Sequence, residues 1–375
     1  MKREDHTPMN PVVELRSDTF TLPTPRMLEA ASRARLGDDV YGEDPTVTEL
    51  EELSAELLGK PAACFMPSGT MANLAALLTH SPRGGKAVVG AESDIYVYEA
   101  GGASVVGGIV YEPVSAAADG TLPLDVVAEA CEVDADDPQF ALPAVLSLET
   151  PHNRRGGIPL PLDYLGRAAA LARTHGIALH LDGARIFNAA IALGVPAADI
   201  AAHADTVQFC LSKGLSAPVG SMLAGDGASI ATARRYRKML GGGMRQAGLV
   251  AACGIVALTE MAERLADDHA HAARLAAGLA GIDGLRLDPE PPRTNMVFFA
   301  VDPDRTPHTT ATLLADAAAR GVRLAELGRD RIRAVTHSGV TADDVDRAVE
   351  VLADVLAAAP AAAPAAAPAA QGAAR

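Results

Sequence analysis

The sequence predicts an α/β protein built on a mostly parallel sheet with helices on its faces, and three observations carry that reading. Short apolar runs alternate with helix-patterned segments along much of the chain. Several of those runs end abruptly in polar or glycine residues, as strands do where an open parallel sheet presents its ligand-binding edge. The length, 375 residues, allows a sizeable core and favours two domains.

Taken in order, "AACFMPS" (62–68) reads as a buried strand and the "GTMANLAALLTH" behind it as a helix. "AVLSLET" (144–150) is strand-like, and "LDYLGRAAALARTHG" (162–176) is helical with Gly176 as its stop. "ALHLD" (178–182) and "TVQFCLS" (206–212) are again strands, with "AADIAAHA" between them. From Gln246 a long helical pattern leaves this βαβαβ rhythm. A smaller α/β segment comes after it: strands in "LRLDPEPPRTNMVFFAVD" around a Pro-rich loop, a helix in "ATLLADAAARG", a strand in "IRAVTH" and a helix in "ADDVDRAVEVLADVLAA". The domain boundary is placed near 250, giving a large domain over 11–250 and a small C-terminal domain over 251–356. Residues 1–10 read as a flexible N-terminus. Residues 357–375, an Ala/Pro low-complexity stretch with nothing to bury, read as a disordered tail.

Composition narrows the function. The chain carries 47 acidic against 32 basic residues, a formal charge of −15, which argues against a nucleic-acid surface. Cys64, Cys131, Cys210 and Cys253 form no C-x-x-C pair and read as reduced, buried thiols. No segment resembles a signal peptide or is long and apolar enough to span a membrane, so a cytoplasmic protein without a membrane partner is expected. His269 and His271 stand two apart on a helix and cannot share a metal, and no cluster has zinc spacing.

The residues just past each strand carry the chemical information. Ser68, Gly69 and Thr70 open a helix, where free backbone N–H groups and a hydroxyl can cradle a phosphate or simply cap the helix. Asp182 ends an apolar run, and a buried carboxylate there costs several kcal/mol unless a cation faces it. Lysine is scarce: Lys2 is terminal, Lys60 and Lys86 read as loop residues, and Lys238 belongs to a basic helix. Only Lys213 ends a buried strand, where a desolvated amine can form a Schiff base or, more blandly, snorkel to solvent. A phosphate cup, an amine and an acid on one sheet edge match pyridoxal 5′-phosphate: phosphate to the cup, aldehyde to Lys213, protonated ring nitrogen to Asp182.

The ordered motifs "LRSDTFTLPT", "GDDVYGEDPTV", "FMPSGTMANL", "YEAGG", "HLDGARIFNA", "CLSKGLSAPVGS", "GGGMRQAG", "TNMVFF" and "RAVTH" resemble the L-threonine aldolase family, fold-type-I pyridoxal-phosphate enzymes of the β-eliminating lyase group, over roughly residues 12–345. The resemblance implies retro-aldol cleavage of threonine, allo-threonine or a related β-hydroxy-α-amino acid to glycine and an aldehyde. Another pyridoxal-phosphate reaction, β-elimination or transaldol transfer, or a non-catalytic ligand sensor are the alternatives. It implies that Lys213 holds the cofactor, that Asp182 binds its ring nitrogen, and that Gly69 and Thr70 hold its phosphate. Arg245 resembles an arginine that reaches the phosphate of a neighbouring subunit. By the same resemblance Ser17, Arg185 and Arg333 would grip the substrate carboxylate, Arg333 from the small domain. Tyr41 resembles a tyrosine lent across an interface of a homotetramer built from dimers. His152, after a strand end in "LETPHN", lies near the substrate hydroxyl as base or positioning group.

Three positions depart from the family pattern. Asp94 stands in "SDIYVYE" where a histidine that stacks on the cofactor ring is usual, so an altered substrate range is expected. Ser216 replaces a usual glycine, and "ETPHN" replaces "ENTHN".

Overall fold

The computed structural model describes residues 12–288, 291–328 and 330–360, so the N-terminal stretch 1–10 and the tail beyond 360 lie outside the described residues. Two compact units make up the chain. The larger comprises residues 18–269 with 293–295, and the smaller comprises the flanking segments through Ser17 and from Ala270 onward.

The chain enters the smaller unit with a short strand, β1 (Val13–Glu14). In the larger unit, α1 (Pro25–Ser32) and α2 (Pro45–Leu57) precede a seven-stranded sheet. Its strands are β2 (Ala62–Met66), β3 (Lys86–Gly90), β4 (Val110–Val114), β5 (Pro143–Glu149), β6 (Ala178–Asp182), β7 (Thr206–Cys210) and β8 (Ser221–Gly225). They lie in the order β2-β8-β7-β6-β5-β3-β4. Only β8 runs antiparallel to its neighbours, so the other six strands point their carboxyl ends to one edge. The connecting helices are α3 (Gly69–His80), α4 (Asp94–Val97), α5 (Leu124–Cys131), α6 (Leu162–Thr174), α7 (Ile186–Leu193), α8 (Ala197–Ala201) and α9 (Gly227–Met239). Strands covered on both faces read as continuous apolar runs, and every residue of β7 and β8 is buried. Phe65, Leu146, Leu181 and Phe209 fill the core beneath them. Gly176 sits at φ +64° after α6, a left-handed conformation that ends the helix at little cost only in glycine.

Two expectations need correction. The long helical pattern from Gln246 does not leave the larger unit at 250. Instead α10 (Gly248–Val256), apolar around its whole circumference, packs against α1 and α2. A π-helical turn over Ala257–Met261 comes next, and the change of unit occurs only within α11 (Leu265–Ala280). Lys86, read as a loop residue, opens β3. The strand β3 escapes a reading of the sequence because its apolar stretch is short and bounded by Lys86 and Gly90.

The smaller unit pairs β1 in parallel with β11 (Val322–Arg323). A four-stranded antiparallel sheet is ordered β12-β13-β10-β9, from β9 (Leu285–Leu287), β10 (Met296–Val301), β12 (Ala325–Glu326) and β13 (Arg331–Val335). The helices α12 (Thr310–Ala319) and α13 (Ala342–Ala357) cover a core of Phe299, Leu313, Ile332 and Leu352. Both helices open with a threonine capping box, Thr309 and Thr341. All four cysteines are buried and free.

Ser216 holds φ +66°, and that conformation explains why glycine is usual there. A non-glycine residue in this region costs about 1–3 kcal/mol, against about 0.5–1 kcal/mol for glycine's greater unfolded-state freedom. Ser216→Gly is therefore expected to raise unfolding free energy by about 1 kcal/mol, read by denaturant titration. An unchanged or lower midpoint would show that the serine hydroxyl offsets the strain.

Candidate functional site

Strand register brings the first three polar groups together. Glu149 on β5 pairs with Asp182 on β6, and Asp182 pairs with Gln208 on β7. Three polar side chains therefore stand side by side at the carboxyl edge of a largely apolar sheet. Asp182 is buried. Its carboxylate accepts hydrogen bonds from Asn73 Nδ2 at 2.9 Å, from the Ala184 amide at 3.1 Å and from Gln208 Nε2. Burial raises its pKa, and the nearby Lys213 charge offsets only part of that rise.

Lys213 lies three residues past β7 and is half-buried. Its carbonyl accepts from Thr21 Oγ1 and the Ser216 amide, each at 2.8 Å, which fixes the backbone at the base of the side chain. Lys213 lines a small cavity together with Arg185, Asn188, Cys210 and Leu265.

Arg185 reaches that cavity already engaged. Its Nε and Nη2 donate to the two Asp18 oxygens at 2.7 and 2.6 Å in a buried, bidentate pair. The family likeness assigns the Arg185 fork to a substrate carboxylate. Asp18 takes those two donors instead, and Nη1 stands outside the pair. Asp18 is absent from the residues expected at the site, although its place in "RSDTF" beside Ser17 is a signal.

At the helix start, Ser68 is exposed and its hydroxyl caps α3 by accepting from the Met71 amide at 3.2 Å. Gly69 packs so closely on β7 that a Cβ would stand 2.9 Å from Cys210 Sγ, so only glycine fits. Thr70 is exposed beside it. The Ser68 hydroxyl is thus the capping group, while Gly69 and Thr70 stand in the first turn, where backbone N–H groups have no partner within the helix.

His152 lies just past β5 and is 1% exposed. Neither ring nitrogen has a hydrogen-bond partner, and Nδ1 lies 3.6 Å from Glu149 Oε1. Burial, reinforced by Arg155, lowers its pKa to about 4. Glu149 in turn accepts the Asn153 amide on one oxygen and the Asp94 amide on the other, each at 2.7 Å. Burial, then Asp94 and Asp182, push its pKa well above the usual range. Asp94 opens α4 and turns its carboxylate onto Asn153 Nδ2, at 3.0 and 3.2 Å. Glu99 accepts from Asn73 Nδ2 at 2.8 Å, and burial beside Asp182 raises its pKa to about 8.

Two expected residues lie together at the surface. Arg245 is exposed and pairs with Asp38 at 2.9 Å, and its carbonyl accepts the Asp39 amide, also at 2.9 Å. Tyr41 ends the same short turn and is 76% exposed. Ser17 and Arg333 belong to the smaller unit, where Arg333 Nη2 donates to the Arg16 carbonyl at 3.3 Å. Asn73, Glu99, Glu149, Asn153, Gln208 and His180 join the site without having been expected there. For Asn73, Glu149, His180 and Gln208 the one signal in the sequence is a polar residue inside an apolar strand or on the inner face of a helix; Glu99 and Asn153 lie in turns. Among the described residues no group of histidines, cysteines and acids could hold a metal, and no helix is long and apolar enough to cross a membrane.

The shifted groups act on stability in opposite senses. His152 is neutral in the fold but ionises near 6.5 when unfolded, so stability falls as pH drops from about 6.5 toward 4. Glu99 keeps a proton in the fold that it loses near 4.5 when unfolded, so stability falls as pH rises from about 4.5 toward 8. Glu99→Gln should flatten the alkaline limb of a denaturation-midpoint profile, and His152→Asn the acid limb. Profiles parallel to the parent's would contradict both assignments.

Comparison with known proteins places the chain in a family. The sequence model of the beta-eliminating lyase family matches residues 14–303. The low specificity L-threonine aldolase of Escherichia coli strain K12 is 51% identical over 292 residues, covering 77% of this chain and 85% of that one. The low-specificity L-threonine aldolase 1 of Arabidopsis thaliana is 42% identical over 334 residues, covering 89% and 93%. Among solved structures, Leishmania major threonine aldolase superposes with a TM-score of 0.77 at 23% identity, covering 92% of this chain and 99% of that one, a likeness of fold. The chain belongs to the beta-eliminating lyase family, among its L-threonine aldolases.

Proposed function

We propose that the protein is a pyridoxal-phosphate-dependent aldehyde-lyase that cleaves threonine, allo-threonine or a related β-hydroxy-α-amino acid into glycine and an aldehyde. The observation that carries this is the buried Asp182 carboxylate at the end of β6, close enough to Lys213 to feel its charge. The donor set fits the cofactor. An amine suits its aldehyde, a buried acid suits a protonated ring nitrogen, and the exposed start of a twelve-residue helix suits its phosphate. When bound, pyridoxal phosphate supplies an electron sink for the bonding pair released as the substrate Cα–Cβ bond breaks.

The chain's own residues do the rest. Asp182 holds a proton at the ring nitrogen, and Asn73 and Gln208 hold Asp182. Arg185, stiffened by Asp18, presents Nη1 toward a substrate carboxylate. His152 is kept neutral by burial, so a ring nitrogen can take the β-hydroxyl proton directly or through a water. The roles expected of Ser17, Arg333, Tyr41 and Arg245 rest on the family likeness, as do a homotetramer and a cytoplasmic location. Another pyridoxal-phosphate reaction is a distinct outcome of assay: ammonia and a keto acid in place of glycine would mark β-elimination.

Purified protein loaded with pyridoxal phosphate is expected to release glycine and acetaldehyde from threonine or allo-threonine. Lys213→Ala should lose the yellow cofactor absorbance and at least about 1,000-fold in kcat. No glycine from threonine, allo-threonine or phenylserine would end this reading. Restoring a ring at the departure position, Asp94→His, should raise kcat/KM for threonine by roughly tenfold, or 1.4 kcal/mol in transition-state binding. Unchanged kinetics would make Asp94 peripheral.

A further inference from the structure

Behind Asp182, a chain of hydrogen bonds continues past Asn73 to residues that the proposed mechanism leaves without a role. Asn73 donates through Nδ2 to Asp182 Oδ2 at 2.9 Å and to Glu99 Oε1 at 2.8 Å. Its Oδ1 lies 3.0 Å from His180 Nε2. His180 Nδ1 lies 2.9 Å from Thr206 Oγ1, and His80 Nε2 lies 2.9 Å from the same hydroxyl. Asn73, His180, Thr206 and Asp182 are buried, and His80 is half-buried.

The secondary structure sets these residues in line. Asn73 and His80 are two turns apart on α3 and so share one face. His180 and Asp182 share one face of β6, as Thr206 and Gln208 do on β7, and the strands pair His180 with Thr206 and Asp182 with Gln208.

With the Asn73 amide oriented as in the structure, donor counting gives each bond a direction. Both Asn73 amide hydrogens point at carboxyl oxygens, so only Oδ1 remains for His180. His180 Nε2 must then carry the proton. Burial, with His80 nearby, lowers the His180 pKa to about 3, so the ring is neutral and Nδ1 is an acceptor. Nδ1 takes the Thr206 hydroxyl proton, which leaves the hydroxyl oxygen to accept from His80 Nε2–H. Polarity therefore runs one way, from His80 through Thr206, His180 and Asn73 to Asp182. Without the His180 N–H, the Asn73 amide loses the contact that keeps its oxygen turned away from Asp182.

We propose that His180 is a positioning residue, which locks the Asn73 amide with its N–H groups toward Asp182 and so keeps Asp182 an ionised acceptor for a protonated ring nitrogen. The proposal rests on the assignment of pyridoxal phosphate to this site. The charged and titratable groups facing Asp182 are Lys213, Asp94, Glu99 and Glu149; His80 faces His180, and Asp205 and Asp226 face His80.

The experiment is nitrogen NMR in two settings. With isotopically labelled histidine in the protein without cofactor, His180 is expected as a neutral Nε2–H tautomer between about pH 6 and 8, and His80 as the Nε2–H tautomer at the alkaline end of that range. His180 as the Nδ1–H tautomer or as imidazolium overturns the chain, and this needs no variant to fold. With labelled cofactor bound, the ring-nitrogen resonance of the parent and of His180→Gln should report the protonated form. His180→Leu should shift it toward the unprotonated form and weaken cofactor binding by about tenfold. A parent-like resonance in His180→Leu overturns the role, as does a His180→Gln that behaves like His180→Leu. A parent that takes up no pyridoxal phosphate overturns the cofactor assignment itself, whatever the tautomers.

Discussion

One constraint organises this protein: a carboxylate, Asp182, stands at the end of a strand inside an apolar sheet. Such a group costs several kcal/mol unless its lone pairs and charge are met. Three donors meet the lone pairs, from Asn73 on α3, Gln208 on β7 and the Ala184 backbone. The last two depend on strand geometry. A one-residue slip between β6 and β7 would turn Gln208 to the opposite face and leave the acid short of a partner. Sheet register and site chemistry are therefore the same requirement.

Around Asp182 the protein manages charge by neutralising it. Glu99 and Glu149 are pushed upward, and His152 and His180 are pushed downward, by burial above all. Glu149 spends its oxygens on two backbone amides, which ties the loop after β5 to the start of α4. Asp94, where the family usually has a ring, is turned onto Asn153. Arg185 is fastened to Asp18, so the guanidinium is pre-oriented and part of its fork is already spent.

Legibility in the sequence obeys a simple rule. Asp182 and Lys213 are readable because each interrupts an apolar run, and a charge in that place demands a reason. Gln208, His180 and Asn73 sit inside elements, where one polar residue among apolar neighbours carries no mark of what it faces. The large-unit strands β2, β5, β6 and β7 are readable from composition, whereas β3, β4 and β8 are not. The boundary near 250 misleads because α10 is helical yet buried in the larger unit. Periodicity tells a helix from a strand but does not say which core the helix joins.

By itself the sequence determined the α/β alternation, the polar groups that end the strands, and the likeness of its ordered motifs to the L-threonine aldolases. These are local properties, set by spacing and residue type along the chain. Only the tertiary structure decided that Arg185 answers Asp18, that Ser68 spends its hydroxyl on a cap, and that a histidine two residues before Asp182 supports it through Asn73. Those outcomes depend on side chains distant in sequence competing for the same few donors and acceptors, a balance that exists only once strands and helices are in register.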